Sequence, residues 1–337
     1  MASGLEGPLV VLLGMAAFPI SLLLTRFFMS FNSARGIYGV DVHKLDKPSI
    51  PEMCGASIPI TLLVLSAIYA AIYPRDLLMM IAFSAVVASS SLVGAVDDRF
   101  RMRGIYKPAL IVLCALPIVF LGYLFPDQVY NPTLRVPLFG GFNLPIIYPL
   151  TIPIAVSVTS NTVNMLDPLN GSMAGGIAII SAGLLAGLLM KGAESVSVFL
   201  FALLLFASLG FFYYNRYPSK AFAGNIGQLS VGAAFGTMVI LGRVEIAAIV
   251  AMFPHVQNSF FFLSRIKRFV EHREVTAKPT YISEDGKLVA STDAQSPLTL
   301  VRTLLVGKPS QEGEVVSTMF ALFVFSSALG LATLLLM

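Results

Sequence analysis

Two adjacent carboxylates, Asp97 and Asp98, stand at the end of a long apolar run in "LVGAVDDRFRMRG", residues 92–104, and three arginines follow them at once. A second polar cluster, "NTVNMLD", closes another apolar run. It places Asn161, Asn164 and Asp167 at i, i+3 and i+6, which is one stripe if the segment is helical. Two further stretches, "DVHKLDKPSIPE" (41–52) and "YYNRYPSKAFAGNIGQ" (213–228), add acids, amides and bases. Carboxylate and amide oxygens suit a hard cation such as Mg2+, which takes one or two protein oxygens and completes its shell with water and phosphate oxygens. Lysine and arginine beside such a centre would neutralise a pyrophosphate. The expected chemistry is therefore on phosphate groups.

These groups must be positioned by membrane helices. The 337 residues are 56% hydrophobic and only 12% charged, against about 25% charged in a typical soluble domain. Spans are expected near 7–30, 56–74, 77–97, 107–125, 146–166, 171–191, 195–214, 226–242, 244–264 and 313–336. Of the 22 basic residues, setting aside Arg26, Arg75, Arg135, Lys191 and Arg243 leaves 17 that fall on one side of this layout. The positive-inside rule makes that side cytoplasmic, and an even number of spans then puts both termini outside. The fold class expected is an all-α polytopic membrane protein of about ten transmembrane helices. Turn signals predict small β-hairpins in the loops 126–145 and 275–292, the second around "SEDGK". The whole chain, 1–337, is expected to form one domain, with 266–311 as a cytoplasmic loop inside it. The first apolar run is long enough to be a true span rather than a cleaved leader. Cys54 and Cys114 sit in unlike contexts, so neither a disulfide nor a thiolate metal site is expected, and no nucleic-acid partner is expected.

In this topology the acids, amides and bases of four separate loops all face the cytoplasm. Each has a plainer reading. An Asp pair at a helix end is commonly a cap or a solvated end, Asn near a helix C-terminus is commonly a cap, and Lys107 alone would be a snorkelling lysine. Their convergence on one surface is what points to a functional cavity, because polar groups this close to a span are costly unless they bind something. Phosphoryl transfer between a soluble nucleotide and a lipid is the chemistry that uses all of them. Composition alone leaves an enzyme and a transporter both open.

At these residues the chain resembles the polyprenyl-phosphate N-acetylhexosamine-1-phosphate transferase superfamily, and most closely its archaeal and eukaryotic UDP-GlcNAc:dolichyl-phosphate GlcNAc-1-phosphate transferases. "DVHKLDKPSIPEM", "GAVDDRFRMRGIYK", "NTVNMLDPLNG" and "YNRYPSKAFAGN" occur in the family's order at the ends of the matching spans. The resemblance implies transfer of GlcNAc-1-phosphate from UDP-GlcNAc, or a related UDP-sugar, to a polyprenyl or dolichyl phosphate with release of UMP. That is the first step of lipid-linked glycan synthesis, as in N-glycosylation. It implies Mg2+, with Mn2+ as the alternative ion. It implies membrane lipids and a homodimer as partners, and a location in an archaeal cell membrane, or the ER membrane in a eukaryote. Carried over motif by motif, Asp97, Asp98 and Lys107 are the expected catalytic residues and Asn164 and Asn225 the metal ligands. Glu52, Asn161, Asp167, Asn170, Phe222, His272, Arg273 and Lys278 are the expected substrate contacts.

Three departures stand against that pattern. Asn225 occupies a position where the family has a metal-binding aspartate, which removes one negative charge and is expected to weaken metal binding. Cys54 and Pro168 stand where glycine is common, and "EHREVTAKP" differs from the usual Arg-His-Arg loop motif. The competing expectation is a non-catalytic lipid-phosphate carrier that keeps the frame. A transporter, however, would be expected to carry its polar groups at mid-bilayer. The acid-rich motif of CDP-alcohol transferases is absent.

Overall fold

The computed structural model describes residues 3–266 and 276–337. The first apolar run is two helices end to end, α1 (Ser3–Met15) and α2 (Ala17–Ala34). A hairpin of β1 (Tyr38–Val40) and β2 (Ser49–Pro51) leads to α3 (Ser57–Ile72) and α4 (Leu77–Phe100). The fourth run divides into α5 (Tyr106–Cys114) and α6 (Leu116–Leu124). After β3 (Thr133–Val136) and β4 (Gly140–Asn143) come α7 (Ile147–Met165), α8 (Ser172–Met190), α9 (Ser195–Asn215) and α10 (Gly224–Leu241). Next are α11 (Glu245–Ala251) and α12 (Phe253–Ile266), bent by 68°. The chain closes with β5 (Thr280–Ile282), β6 (Leu288–Ala290), α13 (Leu300–Leu304) and α14 (Glu312–Leu335).

Two of the breaks have a chemical cause. Pro117 has no N–H for the Leu113 carbonyl and Pro254 none for Val250, so the ladder is interrupted within the fourth and ninth runs. Among the described residues, eight helical segments are long and apolar enough to cross a membrane, and the bent α11–α12 pair is a ninth. α7 has 19 residues, enough to span, but its second half carries Ser157, Thr159, Ser160, Asn161, Thr162 and Asn164, and it falls outside the apolar set. All ten expected spans thus correspond to helical segments, one of them polar for half its length. The chain is a multi-pass membrane protein.

Both expected hairpins are present, with Thr133 paired to Asn143 and Thr280 to Ala290. The β1–β2 hairpin, pairing Tyr38 with Pro51, was not expected. Its strands are as short as those of β5–β6, but its connection, "DVHKLDKP", has no Gly-containing tight-turn signal like "SEDGK" for a sequence reading to catch.

α10 is the centre of the bundle. It packs against α4 and α7, and every residue from Leu229 to Leu241 is buried. Its sequence, "GNIGQLSVGAAFGTMVIL", is rich in Gly, Ala and Ser, which lets neighbouring backbones approach closely in a membrane, where van der Waals packing drives helix association. α8 packs on α9 and α14, and α5 and α12 pack on α7. The polar start of α10 therefore meets the polar ends of α4 and α7.

Candidate functional site

α4 ends where Arg101 adopts a left-handed conformation (φ 53°) and returns its N–H to the Asp97 carbonyl at 2.8 Å. The two carboxylates just before this stop point in different directions. Asp97 is fully buried, accepts the Met102 N–H at 2.7 Å and forms a 2.6 Å ion pair with Lys107 of α5. Asp98 instead caps α10 across the chain. Its oxygens accept the backbone N–H groups of Asn225 (2.8 Å) and Ile226 (3.0 Å), two of the donors a helix start leaves unpaired. Gly224 makes this cap fit: it has φ 67°, and a Cβ there would lie 2.8 Å from Asp98 Oδ2.

Asn225 is the hub. Its side-chain Nδ2 donates to Asp98 at 2.9 Å, while its Oδ1 receives Lys107 Nζ at 3.3 Å and Asn164 Nδ2 at 2.8 Å. An aspartate in this place would have no proton to offer Asp98, so the amide is the group that fits the surrounding network. From Asn164 the network continues to Gln228 Oε1 at 2.6 Å, and Gln228 Nε2 donates to Asp167 Oδ2 at 2.7 Å. Asp167 also caps α8 by accepting the Met173 N–H at 3.1 Å. Burial pushes the Asp167 carboxyl up to about 6, against the hydrogen bonds from Gln228, Met173 and Ser172 that favour its charged form. The helical stripe expected for Asn161, Asn164 and Asp167 stops short: α7 ends at Met165, so Asp167 leaves the helix. Asn161 stays on α7 and donates to the Ser157 carbonyl.

Two cavities meet at this network. One, of about 300 Å³, is polar and lined by Asp41, His43, Glu52, Asp167, Asn170, Phe222, Asn225 and Gln228 among others. Phe222 reaches it because its N–H and carbonyl pair with Pro51 and Cys54 at the end of β2. Gly39 on β1 leaves room for Phe222 and Glu52 together, since a Cβ there would lie 2.9 Å from the ring. The Glu52 carboxyl is raised by burial and by the Asp98 charge, with Arg101 opposing. The second cavity, about 450 Å³, is a largely apolar groove between α5, α7 and α12. Val112, Ile154, Val158, Phe260 and Leu263 line it, with Lys107, Asn161 and Asn164 as polar members.

Asn170 ties the polar cavity to three other segments. Its Oδ1 receives Ser219 N–H at 2.7 Å and Lys44 Nζ at 3.3 Å, its Nδ2 donates to Asp41, and its backbone N–H donates to Glu312 at 2.8 Å. Lys44 bridges Asp41 (2.6 Å) and Glu312 (2.8 Å). Partial burial pulls the Lys44 ammonium down, but these two acids outweigh it and hold the proton more tightly. The sequence reading missed Asp41, Lys44, Gln228 and Glu312. Asp41–Lys44 and Asn225–Gln228 are i, i+3 pairs inside stretches already singled out, which is a usable signal. Glu312 lies 142 residues from the Asn170 it contacts, and no local pattern announces it. Lys278 is exposed and lines neither cavity; His272 and Arg273 lie outside the described residues.

Residues 78–243, the stretch that contains the α4, α7 and α10 components of this network, match glycosyl transferase family 4. A Saccharolobus solfataricus protein named as a UDP-N-acetylglucosamine–dolichyl-phosphate N-acetylglucosaminephosphotransferase is 30% identical over 71% of this chain and 73% of its own. The chain belongs to this family. It is of the archaeal type in the polyprenyl-phosphate N-acetylhexosamine-1-phosphate transferase superfamily, as its motifs led one to expect. A Methanocaldococcus jannaschii protein named as a glycosyltransferase is 28% identical over 94% of this chain and 93% of its own. A bacterial member, the phospho-N-acetylmuramoyl-pentapeptide-transferase of Thermodesulfovibrio yellowstonii, is 29% identical over 60% of this chain and 62% of its own. In this chain the network shares Asn225 between Asp98, Lys107 and Asn164.

Proposed function

We propose that the protein transfers a sugar-1-phosphate, GlcNAc-1-phosphate in the first instance, from a UDP-sugar to a polyprenyl or dolichyl phosphate, releasing UMP on the cytoplasmic side. The observation that carries this reading is the meeting of two unlike cavities at one hydrogen-bonded wall. The apolar groove has Lys107 and Asn164 in its lining, the polar cavity has Asn225 and Gln228, and the four side chains are linked at 2.6–3.3 Å. A lipid acceptor and a soluble donor would meet across that wall without either leaving its own environment.

In this reading the groove takes the first prenyl units and Lys107 holds the acceptor phosphate by charge. Asp97 keeps Lys107 in place at 2.6 Å. A phosphate monoester is already ionised at neutral pH, so no residue has to remove its proton. Phe222 offers a ring face to the uracil and Glu52 an acceptor to the nucleoside. Asp98 holds the start of α10, and so the position of Asn225, by its hydrogen bonds.

The donor set also suits a divalent cation. The Asn225 and Gln228 oxygens converge on the Asn164 amide at 2.8 and 2.6 Å, with the Asp167 carboxylate behind them. Among the described residues no three His, Cys, Asp or Glu side chains gather as a metal cluster. An ion that relies on few protein oxygens and on substrate phosphates does not need such a cluster. Asn225 and Gln228 would hold Mg2+ or Mn2+ through their amide oxygens, and Asn164 would join them through its Oδ1 with its amide turned over, since here its Nδ2 donates to both. When bound, the ion would neutralise charge on the donor pyrophosphate.

The test is UMP release from UDP-GlcNAc by purified protein with Mg2+ and a polyprenyl phosphate, run beside Asn225→Asp. Turnover by the natural chain supports the reading. The second reading, a carrier without chemistry, is favoured by the Lys107 ammonium already lying 3.3 Å from the Asn225 oxygen. Turnover by Asn225→Asp alone, or by neither form with any UDP-sugar, would favour it.

A further inference from the structure

Taken as the donor-nucleotide site proposed above, the polar cavity leaves few of its side chains to meet a ligand. Most of its polar side chains are engaged with the protein. Asp41 accepts from the His43 backbone N–H, Lys44 and Asn170. Asp167 accepts from Gln228, Ser172 and Met173. Asn170 and Asn225 each have two protein donors on their side-chain oxygen, and Gln228 bridges Asn164 to Asp167. Asn215, 3% exposed, donates its Nδ2 to the Ala221 carbonyl, while its buried Oδ1 has no hydrogen-bond partner among the described residues.

Two further side chains are less buried than Asn215 and have no side-chain hydrogen bond at all among the described residues. Glu52 and His43 line the same cavity and are only partly buried. Among the described residues their polar contacts run through the backbone, at the Glu52 carbonyl and the His43 N–H, and not through the side chains. Buried polar atoms are ordinarily paired, so polar atoms left facing a cavity mark the part of the wall a ligand completes. Glu52 already stands among the expected nucleotide contacts; His43 does not.

We propose that His43 is a direct contact for the nucleoside part of the donor nucleotide, hydrogen-bonding it through the imidazole from the β1–β2 loop. A neutral imidazole offers one N–H donor and one acceptor, the pair needed to read carbonyl and N–H groups or ribose hydroxyls. Burial keeps the ring's proton affinity below the ordinary histidine value. Lys44 acts in the same sense, while the Glu312 and Asp41 charges oppose. The loop that carries His43 is fixed at both sides, by the Asp41–Pro48 backbone bond at 3.0 Å and by the Lys44–Glu312 pair to α14. His43 is thus held against the cavity by an element remote in sequence from the motif acids of α4.

The experiment is isothermal titration of the purified full chain with UDP, together with steady-state turnover of UDP-GlcNAc, for the natural protein, His43→Phe and His43→Asn. His43→Phe is expected to weaken UDP binding and raise the donor KM by roughly three- to tenfold, the worth of one neutral hydrogen bond, with kcat and the acceptor KM unmoved. His43→Asn keeps a donor and an acceptor and should recover part of the loss. It also keeps the test valid if the phenylalanine form does not fold. Equal UDP binding by natural protein and both variants overturns the inference and leaves the proposed function standing. So does a fall in kcat at constant donor KM. Absence of UDP binding by the natural protein overturns the donor assignment itself, and the role of His43 with it.

Discussion

The two cavities that share the Lys107–Asn225–Asn164 wall are made of opposite materials. The polar cavity is assembled from loop ends: the β1–β2 hairpin, the 166–171 linker, the stretch before α10 and the first residue of α14. Hydrogen bonds between segments up to 268 residues apart hold it. The groove is assembled from faces of α5, α7 and α12, and its shape depends on helix packing. A cavity held by hydrogen bonds loses its geometry when one partner is removed, whereas an apolar groove changes with side-chain volume. The wall between them belongs to both, and changes there should be felt on both sides.

The sharpest way to break this division is at the wall. Lys107→Met removes the counter-ion of the buried Asp97 and should cost about 3–5 kcal/mol of stability, with transferase activity lost. A thermal melt in detergent measures the first and UMP release the second. Because the charge left behind is the cause, the double variant Asp97→Asn/Lys107→Met should melt higher than Lys107→Met alone. A double variant no more stable would mean that the ion pair is not what holds α4 to α5.

Removing the amide relay should have the next largest effect. Asn164→Ala and Gln228→Ala are each expected to lower turnover by about 10- to 100-fold while the protein stays folded, the range for partners that orient a charged centre. Normal turnover in Asn164→Ala would discard its role as a ligand.

A crossed pair of substitutions then tests whether the cavities serve different substrates. Phe222→Ala should raise the donor KM about tenfold, as loss of a base-stacking ring does, with the lipid KM unchanged. Val158→Phe, which narrows the groove, should do the reverse. If both variants move the same KM, the assignment of donor and acceptor to separate cavities is wrong.

The smallest effect is in pH. Asp167 titrates at about 6 because it is buried, so it is neutral below that pH and charged above it. Turnover should fall as pH drops through about 6, and Asp167→Asn should flatten that limb in a pH–rate profile. A profile identical in the variant would assign the limb to another group.

Much of this protein was legible in its sequence because a membrane imposes strict local rules. An apolar run of about 20 residues has few alternatives to a helix when no water is present to satisfy the backbone, and "SEDGK" and the Pro- and Gly-rich loop 126–145 marked two of the hairpins. The motif acids, amides and Lys107 were legible because charge at the end of an apolar run is conspicuous. Asn225 was legible as a departure, but not its partners, since the amide's fit depends on Asp98 reaching it from another helix. What the sequence by itself determined was therefore the set of spans and the list of polar residues gathered at one end of them. Tertiary structure alone decided how those residues divide: that Asp97 pairs with Lys107 while its neighbour caps α10, that Asp167 leaves the α7 stripe, and that Glu312 closes a site begun by Asp41 and Lys44. The physical reason is range. Hydrophobic periodicity and turn chemistry act over a few residues, whereas a hydrogen bond between distant segments exists only once packing has brought its two ends within about 3 Å.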